Sequence, residues 1–144
     1  MQNNIPMSVS VCSEYFDTES GEKYDELSSN VIGCLQKKDD QYRIIYKETD
    51  KDSSIITELV FSEGKDRLIV NKKGDAECKM IFSTEKKTSF IYRLAYGSFD
   101  AEITTHSLTN TVGTSGGEIY VLYTLSLGGQ TQKISMKISA EASK

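Results

Sequence analysis

The sequence contains one pattern that is typical of a hydrolase nucleophile. Gly113-Thr114-Ser115-Gly116-Gly117 matches G-x-S-x-G, which requires a strand-to-helix elbow and a histidine base. A strand-like segment follows these glycines, and the only histidine is His106, which is in phase with the polar residues Asp100 and Glu102. We therefore interpret residues 113–117 as a hairpin turn and His106 as a solvated side chain. No catalytic residue is assigned from the sequence.

Acidic residues form a second candidate for chemistry, because a glycosidase needs two carboxyl groups at a set separation. Six of them cluster around one glycine turn: Glu14, Asp17, Glu19, Glu22, Asp25 and Glu26. An apolar environment that would raise the pKa of one of them is not indicated by the surrounding residues. We interpret the cluster as a solvated rim that keeps strands from pairing with neighbouring molecules.

Glu48 differs from these acids, because it follows the segment Tyr42–Tyr46 in phase with its apolar face. A carboxylate that points inward needs a partner. The candidates are Lys72, Arg67 and Arg93. The other interpretation is that the strand has already reached solvent at Glu48, and the sequence leaves both open.

Aromatic residues provide the main indication of binding. Seven of them lie on faces predicted to point inward: Tyr42, Tyr46, Phe82, Phe90, Tyr92, Phe99 and Tyr123. Such rings fill the core of a small barrel, but a barrel of eight to ten strands can also hold one small ligand, and tyrosine hydroxyls need partners. The predicted ligand-binding residues are Tyr42, Tyr46, Glu48, Phe82, Tyr92 and Tyr123.

Composition limits the classes of partner. The formal net charge is −4, so a general nucleic-acid binder is not expected. A basic patch would form only if one rim of the barrel carried all three lysine pairs, which are Lys37-Lys38, Lys72-Lys73 and Lys86-Lys87. No apolar run is long enough to span a membrane as a helix, and residues 1–15 lack the regions of a signal peptide. The three cysteines are widely spaced, so we expect free thiols, no metal site and no cofactor.

Alternation of apolar and polar residues predicts an all-β fold. The pattern is clearest over 98–105, 118–127 and 133–139, where every second residue is apolar or small. Glycine and acidic residues at intervals of about ten predict hairpin turns, including Asp50–Ser53, Glu63–Lys65 and Gly128-Gly129. Consecutive hairpins give an antiparallel meander, and closure into a barrel removes its two free edges.

Residues Tyr24–Leu35 are ambiguous. Tyr24, Leu27, Val31 and Leu35 have helical spacing, whereas Gly33 and the β-branched pair before it disfavour a helix. We therefore expect one closed, up-and-down antiparallel barrel of eight to ten strands over residues 1–144. Residues 1–6 and 141–144 are expected to be loose ends.

The order of several motifs resembles a known family. These are Tyr42-Arg43-Ile44-Ile45-Tyr46-Lys47-Glu48, Leu68-Ile69-Val70-Asn71-Lys72-Lys73-Gly74, Tyr96-Gly97, Thr104-Thr105 and Ile119-Tyr120-Val121-Leu122-Tyr123. Together they look like the YwiB-like family of uncharacterised bacterial β-barrels. The resemblance implies a calycin-like or lipocalin-like barrel in the cytoplasm, and it implies no established activity.

Two functional classes follow from these observations. The first is a small cytosolic barrel that binds an apolar or amphipathic ligand between the tyrosines. The second is a non-catalytic interaction module with a filled core, whose outer surface binds a protein partner or a second copy. An enzyme is the third choice, because the sequence yields no activated nucleophile, acid pair or metal set.

Overall fold

The computed structural model describes residues 4–50, 53–62 and 66–143, which form ten β-strands. The predicted turns Asp50–Ser53 and Glu63–Lys65 include residues 51–52 and 63–65, which lie outside the described residues. The strands are β1 (Asn4–Phe16), β2 (Lys23–Lys38), β3 (Gln41–Asp50), β4 (Ser53–Ser62), β5 (Arg67–Gly74), β6 (Ala76–Ser83), β7 (Lys87–Leu94), β8 (Gly97–Asn110), β9 (Gly116–Leu127) and β10 (Gln130–Ala142).

Each strand pairs with its neighbour in sequence, and β10 pairs with β1 to close the barrel. All the pairings are antiparallel, as the alternating pattern predicts. The turn between β9 and β10 has Gly128 and Gly129 at φ of 59° and 82°, the backbone region that a two-residue hairpin loop requires. The predicted closed, up-and-down barrel is confirmed.

Residues Tyr24–Leu35 belong to a strand, β2, and not to a helix. Leu27, Val31 and Leu35 are four residues apart, and a spacing of four places side chains on one face of a strand as well as of a helix. The helical spacing was therefore not diagnostic for these three residues.

A β-bulge near the start of β2 accounts for the position of Tyr24. Tyr15 pairs with Asp25, but Phe16 pairs with Lys23, so Tyr24 is the extra residue of the bulge. Its ring centroid lies 6.3 Å from that of Tyr15, and its hydroxyl accepts a hydrogen bond of 2.6 Å from Gln132 on β10. Tyr24 therefore extends along the rim of the barrel. The bulge interrupts the two-residue period, which is why this part of β2 resembled a helix.

The ends of the chain correct a second expectation. Asn4–Pro6 pair with β2, and Glu141 and Ala142 pair with β1, so these residues are strand residues and not loose ends. Glu141 and Ala142 belong to the β1–β10 pairing that closes the barrel, whereas Asn4–Pro6 extend the β1–β2 hairpin. Residues 1–3 and 144 lie outside the described residues.

The barrel is one closed sheet, and two of its pairings, which we call seams, leave a large part of a strand unpaired. The seams divide the barrel into two parts, which we call the β3–β6 sheet and the sheet of β7–β10 with β1 and β2. At the first seam, β2 pairs with β3 only over Gly33–Lys38. At the second, β6 pairs with β7 only at Ala76–Leu94 and Glu77–Arg93.

The hydrophobic core lies towards one end of the barrel, which we call the filled end and which carries the β2–β3 turn at Asp39–Asp40. Its largest fully buried side chains include Met7, Leu35, Tyr42, Ile44, Leu68, Phe82 and Ile119. Tyr42 stacks on Phe61 with ring centroids 5.6 Å apart, and the Lys37 ammonium lies 5.5 Å from the Tyr42 centroid. We call the other end, which carries the β1–β2 turn at Asp17–Glu22, the open end.

A polar network on the outer surface links three strands of the β3–β6 sheet. Arg43 on β3 donates to Glu58 on β4 through its Nε, at 2.9 Å, and through an Nη2 ion pair. Asn71 on β5 donates to the other carboxylate oxygen of Glu58 at 2.9 Å. Burial opposes ionisation of Glu58, but these hydrogen bonds outweigh it and hold the pKa of Glu58 below its usual value.

Gly33 is required for close approach at the first seam. An added Cβ would lie 2.9 Å from the Ile45 carbonyl oxygen and 3.2 Å from Tyr46 Cβ. We predict that Gly33→Val lowers the free energy of unfolding by about 1–3 kcal/mol, since the strands must separate. Gly113→Ala is the control, because nothing lies within 4 Å of its Cβ position. Equal urea midpoints for the two variants would contradict this role.

Glu58→Gln tests the network through pH. The folded pKa of Glu58 is lowered, so its stabilisation is complete above the unfolded pKa of about 4.3 and is lost as pH falls through the folded pKa. The variant should be about 1 kcal/mol less stable than wild type at pH 7, and the difference should shrink below about pH 4. Urea unfolding at pH 7 and below about pH 4 measures the two differences in stability. The control is Glu77→Gln, because Glu77 is exposed. A difference independent of pH would exclude the charged pairing as its source.

Candidate functional site

A cavity of about 300 Å³ lies inside the barrel towards the open end. Its walls come from both sheets, with residues of β1–β6, β9 and β10. The apolar part of its lining includes Val11, Leu59, Val70, Met80, Met136 and Ile138. These residues face inward by the two-residue period of their strands, and the rings of the filled end close the barrel beneath them.

Polar groups line the same cavity nearer its mouth. They include Ser13, Tyr15, Tyr46, Glu48, Lys72 and Tyr123. Leu27, Ser28 and Ser29 of β2 also contribute, because β2 and β3 separate beyond Gly33 and Tyr46 and leave an opening at the first seam. The cavity thus has an apolar floor and a polar mouth on the side of that seam.

Two buried tyrosines place neutral hydroxyl groups in this site. Burial raises the pKa of Tyr46, and the nearby Glu48 carboxylate raises it further. Burial also raises the pKa of Tyr123, whose hydroxyl has no hydrogen-bond partner among the described residues. Both phenols therefore stay protonated at physiological pH and can donate a hydrogen bond to a bound molecule.

Thr57 is a buried polar residue behind this wall. It pairs with Tyr46 on one side and with Lys72 on the other, and its side chain is fully buried. The Tyr46 hydroxyl is near enough to Thr57 for the contact to lower the Tyr46 pKa slightly. No described atom meets the geometric limits of a hydrogen bond with Thr57 Oγ1. A buried hydroxyl without a good partner is unfavourable, so this region of the site is not fully satisfied by the protein.

Glu48 and Lys72 are the charged residues of the cavity. Both are half-buried on inner faces, and neither forms an ion pair within the described part of the chain. Glu48 therefore points inward, as one of the two sequence interpretations held. Of its proposed partners, Lys72 shares the cavity, Arg67 begins β5 near the filled end, and Arg93 lies on the outer surface of β7.

The other predicted ligand-binding residues lie elsewhere in the barrel. Tyr42 is in the core of the filled end. Phe82 is fully buried and contacts Tyr123 edge-on, with ring centroids 4.8 Å apart, so it supports the cavity from below. Tyr92 does not line the cavity. Burial raises the pKa of the Tyr92 hydroxyl, and the nearby Tyr15 raises it further.

The two remaining aromatic residues of the predicted inward set differ from each other. Phe90 is half-buried and packs against the hydrophobic core. Phe99 is an exception to the predicted inward face, because it is 38% exposed and contacts Tyr96 at 6.1 Å. Residues 97–100 pair with β7 but not with β9, whose pairing with β8 begins at Ala101, so this end of the β7–β8 hairpin extends past β9 and leaves Phe99 partly exposed.

Tyr15, Met80 and Met136 were not identified as candidate residues from the sequence. Tyr15 continues the odd-numbered face of Val11 and Ser13, so strict extension of the alternation along β1 would have found it. The methionines also follow the alternation of their strands. Nothing in the sequence indicates that the space beside them is left unfilled.

The remaining chemical candidates are structural or solvated. Gly113 and Gly116 exchange two backbone hydrogen bonds of 3.1 Å, so residues 113–117 form the β8–β9 turn, as predicted. His106 is exposed at a bulge in β8, with Nε2 2.7 Å from Thr124 Oγ1. No group of three or more His, Cys, Asp or Glu within the described ranges could hold a metal ion.

The lysine pairs do not gather at one rim. Lys37-Lys38 and Lys86-Lys87 lie at the filled end, whereas Lys72-Lys73 lie at the open end. Lys72 and Lys73 border a groove of about 530 Å³ along the second seam, together with Lys79 and Arg93. Lys72 therefore lies between this groove and the cavity. No described helix is long and apolar enough to cross a membrane.

Comparison with solved structures shows the fold independently. The crystal structure of the ywiB protein from Bacillus subtilis matches with a TM-score of 0.85 and 20% sequence identity, over 98% of this chain and 94% of that chain. At this identity the match shows the fold alone. No curated protein matches the sequence.

Sequence comparison covers nearly the whole barrel. The family described as Domain of unknown function (DUF1934) matches residues 9–138, a range that contains every residue named above as lining the cavity. Together with the ywiB fold, this confirms the resemblance to the YwiB-like family. The chain therefore belongs to the DUF1934 family.

Proposed function

We propose that this protein binds a small amphipathic molecule in the cavity at the open end of the barrel. The observation that carries the proposal is a space of about 300 Å³ whose partly apolar lining also includes Tyr46, Tyr123, Glu48 and Lys72. Neither Glu48 nor Lys72 forms an ion pair with another described residue. This volume is near the lower bound for small-molecule sites, which is about 300 Å³. The ligand would be small, with an apolar body and one polar end.

The polar groups suggest how such a molecule would lie. Its apolar part would contact Met80, Met136 and Val70, and its polar end would reach Tyr46 and Lys72 at the mouth. The hydroxyl of the buried Tyr123, which has no hydrogen-bond partner among the described residues, would gain one. A bound molecule that accepts this hydrogen bond would be oriented by the Tyr123 hydroxyl.

A ligand site is favoured over the other two classes considered from the sequence. An interaction module with a filled core needs no space between Tyr46 and Tyr123, but a cavity separates the residues there. A catalytic role would need an activated nucleophile or an acid–base pair. Binding alone accounts for the chemistry of the lining. We also propose a cytoplasmic location, since Cys12, Cys34 and Cys78 are free thiols.

Filling the cavity should weaken the binding of an amphipathic probe. We predict that 8-anilinonaphthalene-1-sulfonate binds the wild type with enhanced fluorescence, and that Ser13→Phe weakens its affinity at least about tenfold because the ring occupies the site. The control is Ser8→Phe, which is on the outer face of the same strand. Circular dichroism verifies that both variants fold. Equal affinity in Ser13→Phe and wild type would place the probe outside the cavity.

The Lys72 ammonium at the mouth should contribute to the binding of an anionic probe. Lys72→Met keeps most of the side-chain volume but removes the cation, so we predict a five- to tenfold weaker affinity for the same sulfonate, about 1–1.4 kcal/mol. Lys73→Met is the matched control, because Lys73 is exposed on the opposite face of β5. Titration at low and high salt separates a charge effect from lost contact area. If Lys72→Met and Lys73→Met lost the same affinity, the ammonium group inside the barrel would not be the one that binds the sulfonate.

A further inference from the structure

The first seam leaves a long strand edge without a partner. β2 pairs with β1 from Lys23 to Gln36, but with β3 only from Gly33 onwards. Among the described residues, none pairs with the other edge of β2 over Asp25–Ile32. We call this segment the free edge. Such an edge presents a row of backbone donors and acceptors that can bind a further strand.

The side chains along the free edge give it little protection. Natural proteins block exposed edges with lysine, proline or bulges. The free edge contains no proline and no lysine, and the bulge at Tyr24 lies just outside it. Its charged residues, Asp25 and Glu26, are both at one end, so Leu27–Ile32 is a run of six uncharged residues. This part of the edge is open to pairing.

Large apolar side chains lie at both ends of the uncharged run. Leu27 is 59% exposed and Ile32 is 71% exposed. Leu27 lies on the inner face of β2, beside the cavity mouth, and Ile32 lies on the outer face. Exposed apolar groups beside an unpaired backbone gain most from the addition of a strand, because both the side chains and the backbone are then covered.

We propose that the free edge of β2 pairs with the same edge of a second copy of this chain, in an antiparallel arrangement. Two identical antiparallel edges are related by a two-fold axis perpendicular to the sheet. If the two sheets continue into one another, residues that face each other must belong to the same face. The two-fold axis must then pass between a residue of one copy and the same residue of the second copy, so that this residue faces itself.

The sequence favours the register with Ser29 on this axis. Leu27 of one copy then faces Val31 of the second copy, and this pair occurs twice, as does the polar pair of Ser28 with Asn30. Large aliphatic and β-branched residues form favourable cross-strand pairs, and no two acidic residues face each other. With Ser28 on the axis, Val31 would instead face Asp25.

Glu26 completes the Ser29 register. It faces Ile32 of the second copy, so the pairing extends over residues 26–32 in both chains and stops before the bulge. The Glu26 carboxylate already lies 2.6 Å from the Lys23 ammonium, which reduces the cost of placing it beside an aliphatic side chain. Both exposed apolar ends of the run are thereby covered.

A second copy fits the free edge better than other extended partners. The Ser29 register is self-complementary over seven residues. An unrelated segment would need apolar side chains at the positions that face both Leu27 and Ile32. A nucleic acid is disfavoured, because it cannot provide alternating backbone donors and acceptors and because Asp25 and Glu26 would repel it. The added strand would also form a wall beside Leu27 and Ser29, which line the cavity mouth.

The first test is sedimentation velocity of the full-length protein from about 1 µM to about 1 mM, where we expect a concentration-dependent dimer. Ile32→Glu places a second carboxylate opposite Glu26 in both symmetry-related pairs, so it should raise the dimer dissociation constant at least about tenfold. Ile32→Lys removes the same apolar group but faces Glu26 with an opposite charge. Its dissociation constant should stay within about threefold of the wild type.

Ile56→Glu is the matched control, because Ile56 is 47% exposed on the outer face of β4, where it pairs with Lys47 and Lys73. This variant should leave the dimer unchanged, and thermal unfolding verifies that every variant folds. A wild type that stays monomeric at the highest concentration overturns the proposal. A dimer that Ile32→Glu does not weaken overturns it as well.

Cross-linking identifies the register independently. Residues that face each other across antiparallel strands have Cα atoms about 4.5–5.5 Å apart, a distance that a disulfide can span. Ser29→Cys should therefore form a disulfide-linked dimer under mild oxidation, as seen by non-reducing electrophoresis. Ser28→Cys and the wild type, which carries three free thiols, are the controls, and neither should show a disulfide-linked dimer on the same denaturing gel. Efficient cross-linking through residue 28 and not through residue 29 would exclude the Ser29 register.

Discussion

The two short seams determine most of what is distinctive about this barrel. Ten strands can close only if every neighbouring pair meets, yet β2–β3 and β6–β7 pair over a fraction of their length. Backbone groups that do not pair across a seam must find other partners or remain open to ligand, solvent or another chain. The cavity mouth, the lysine-bordered groove and the free edge of β2 all occur at these seams.

Packing follows the same division. Where β2 pairs with β3, at the filled end, Tyr42, Phe61 and Phe82 pack among buried aliphatic residues of the core. Where β2 leaves β3, the inner faces no longer oppose one another, and tyrosines and methionines surround a space instead of filling it. The same kinds of side chain are thus core residues at one end and cavity walls at the other. Their role depends on the separation of the strands behind them.

The sequence predicts the strands, their faces and the closed barrel because each depends on local alternation and turn residues. It also identifies Tyr46, Glu48 and Tyr123, which face inward on well-patterned strands. It cannot separate them from Tyr42 and Phe82, because these residues have the same inward phase and differ only in the distance to the opposite wall. That distance is set by the point at which β2 leaves β3, beyond the pair Gly33–Tyr46, and the alternation of apolar and polar residues does not indicate where two paired strands separate.

Closure of the barrel by its first and last strands has a consequence for biosynthesis. Every other pairing joins strands that are consecutive in the chain, so those hairpins can form as soon as each is made, at low cost in loop-closure entropy. Met7 pairs with Ala142, so β1 must wait for the last strand to leave the ribosome. During that interval one edge of β1 has no neighbour, so its backbone donors and acceptors are open to solvent or to another chain until β10 arrives.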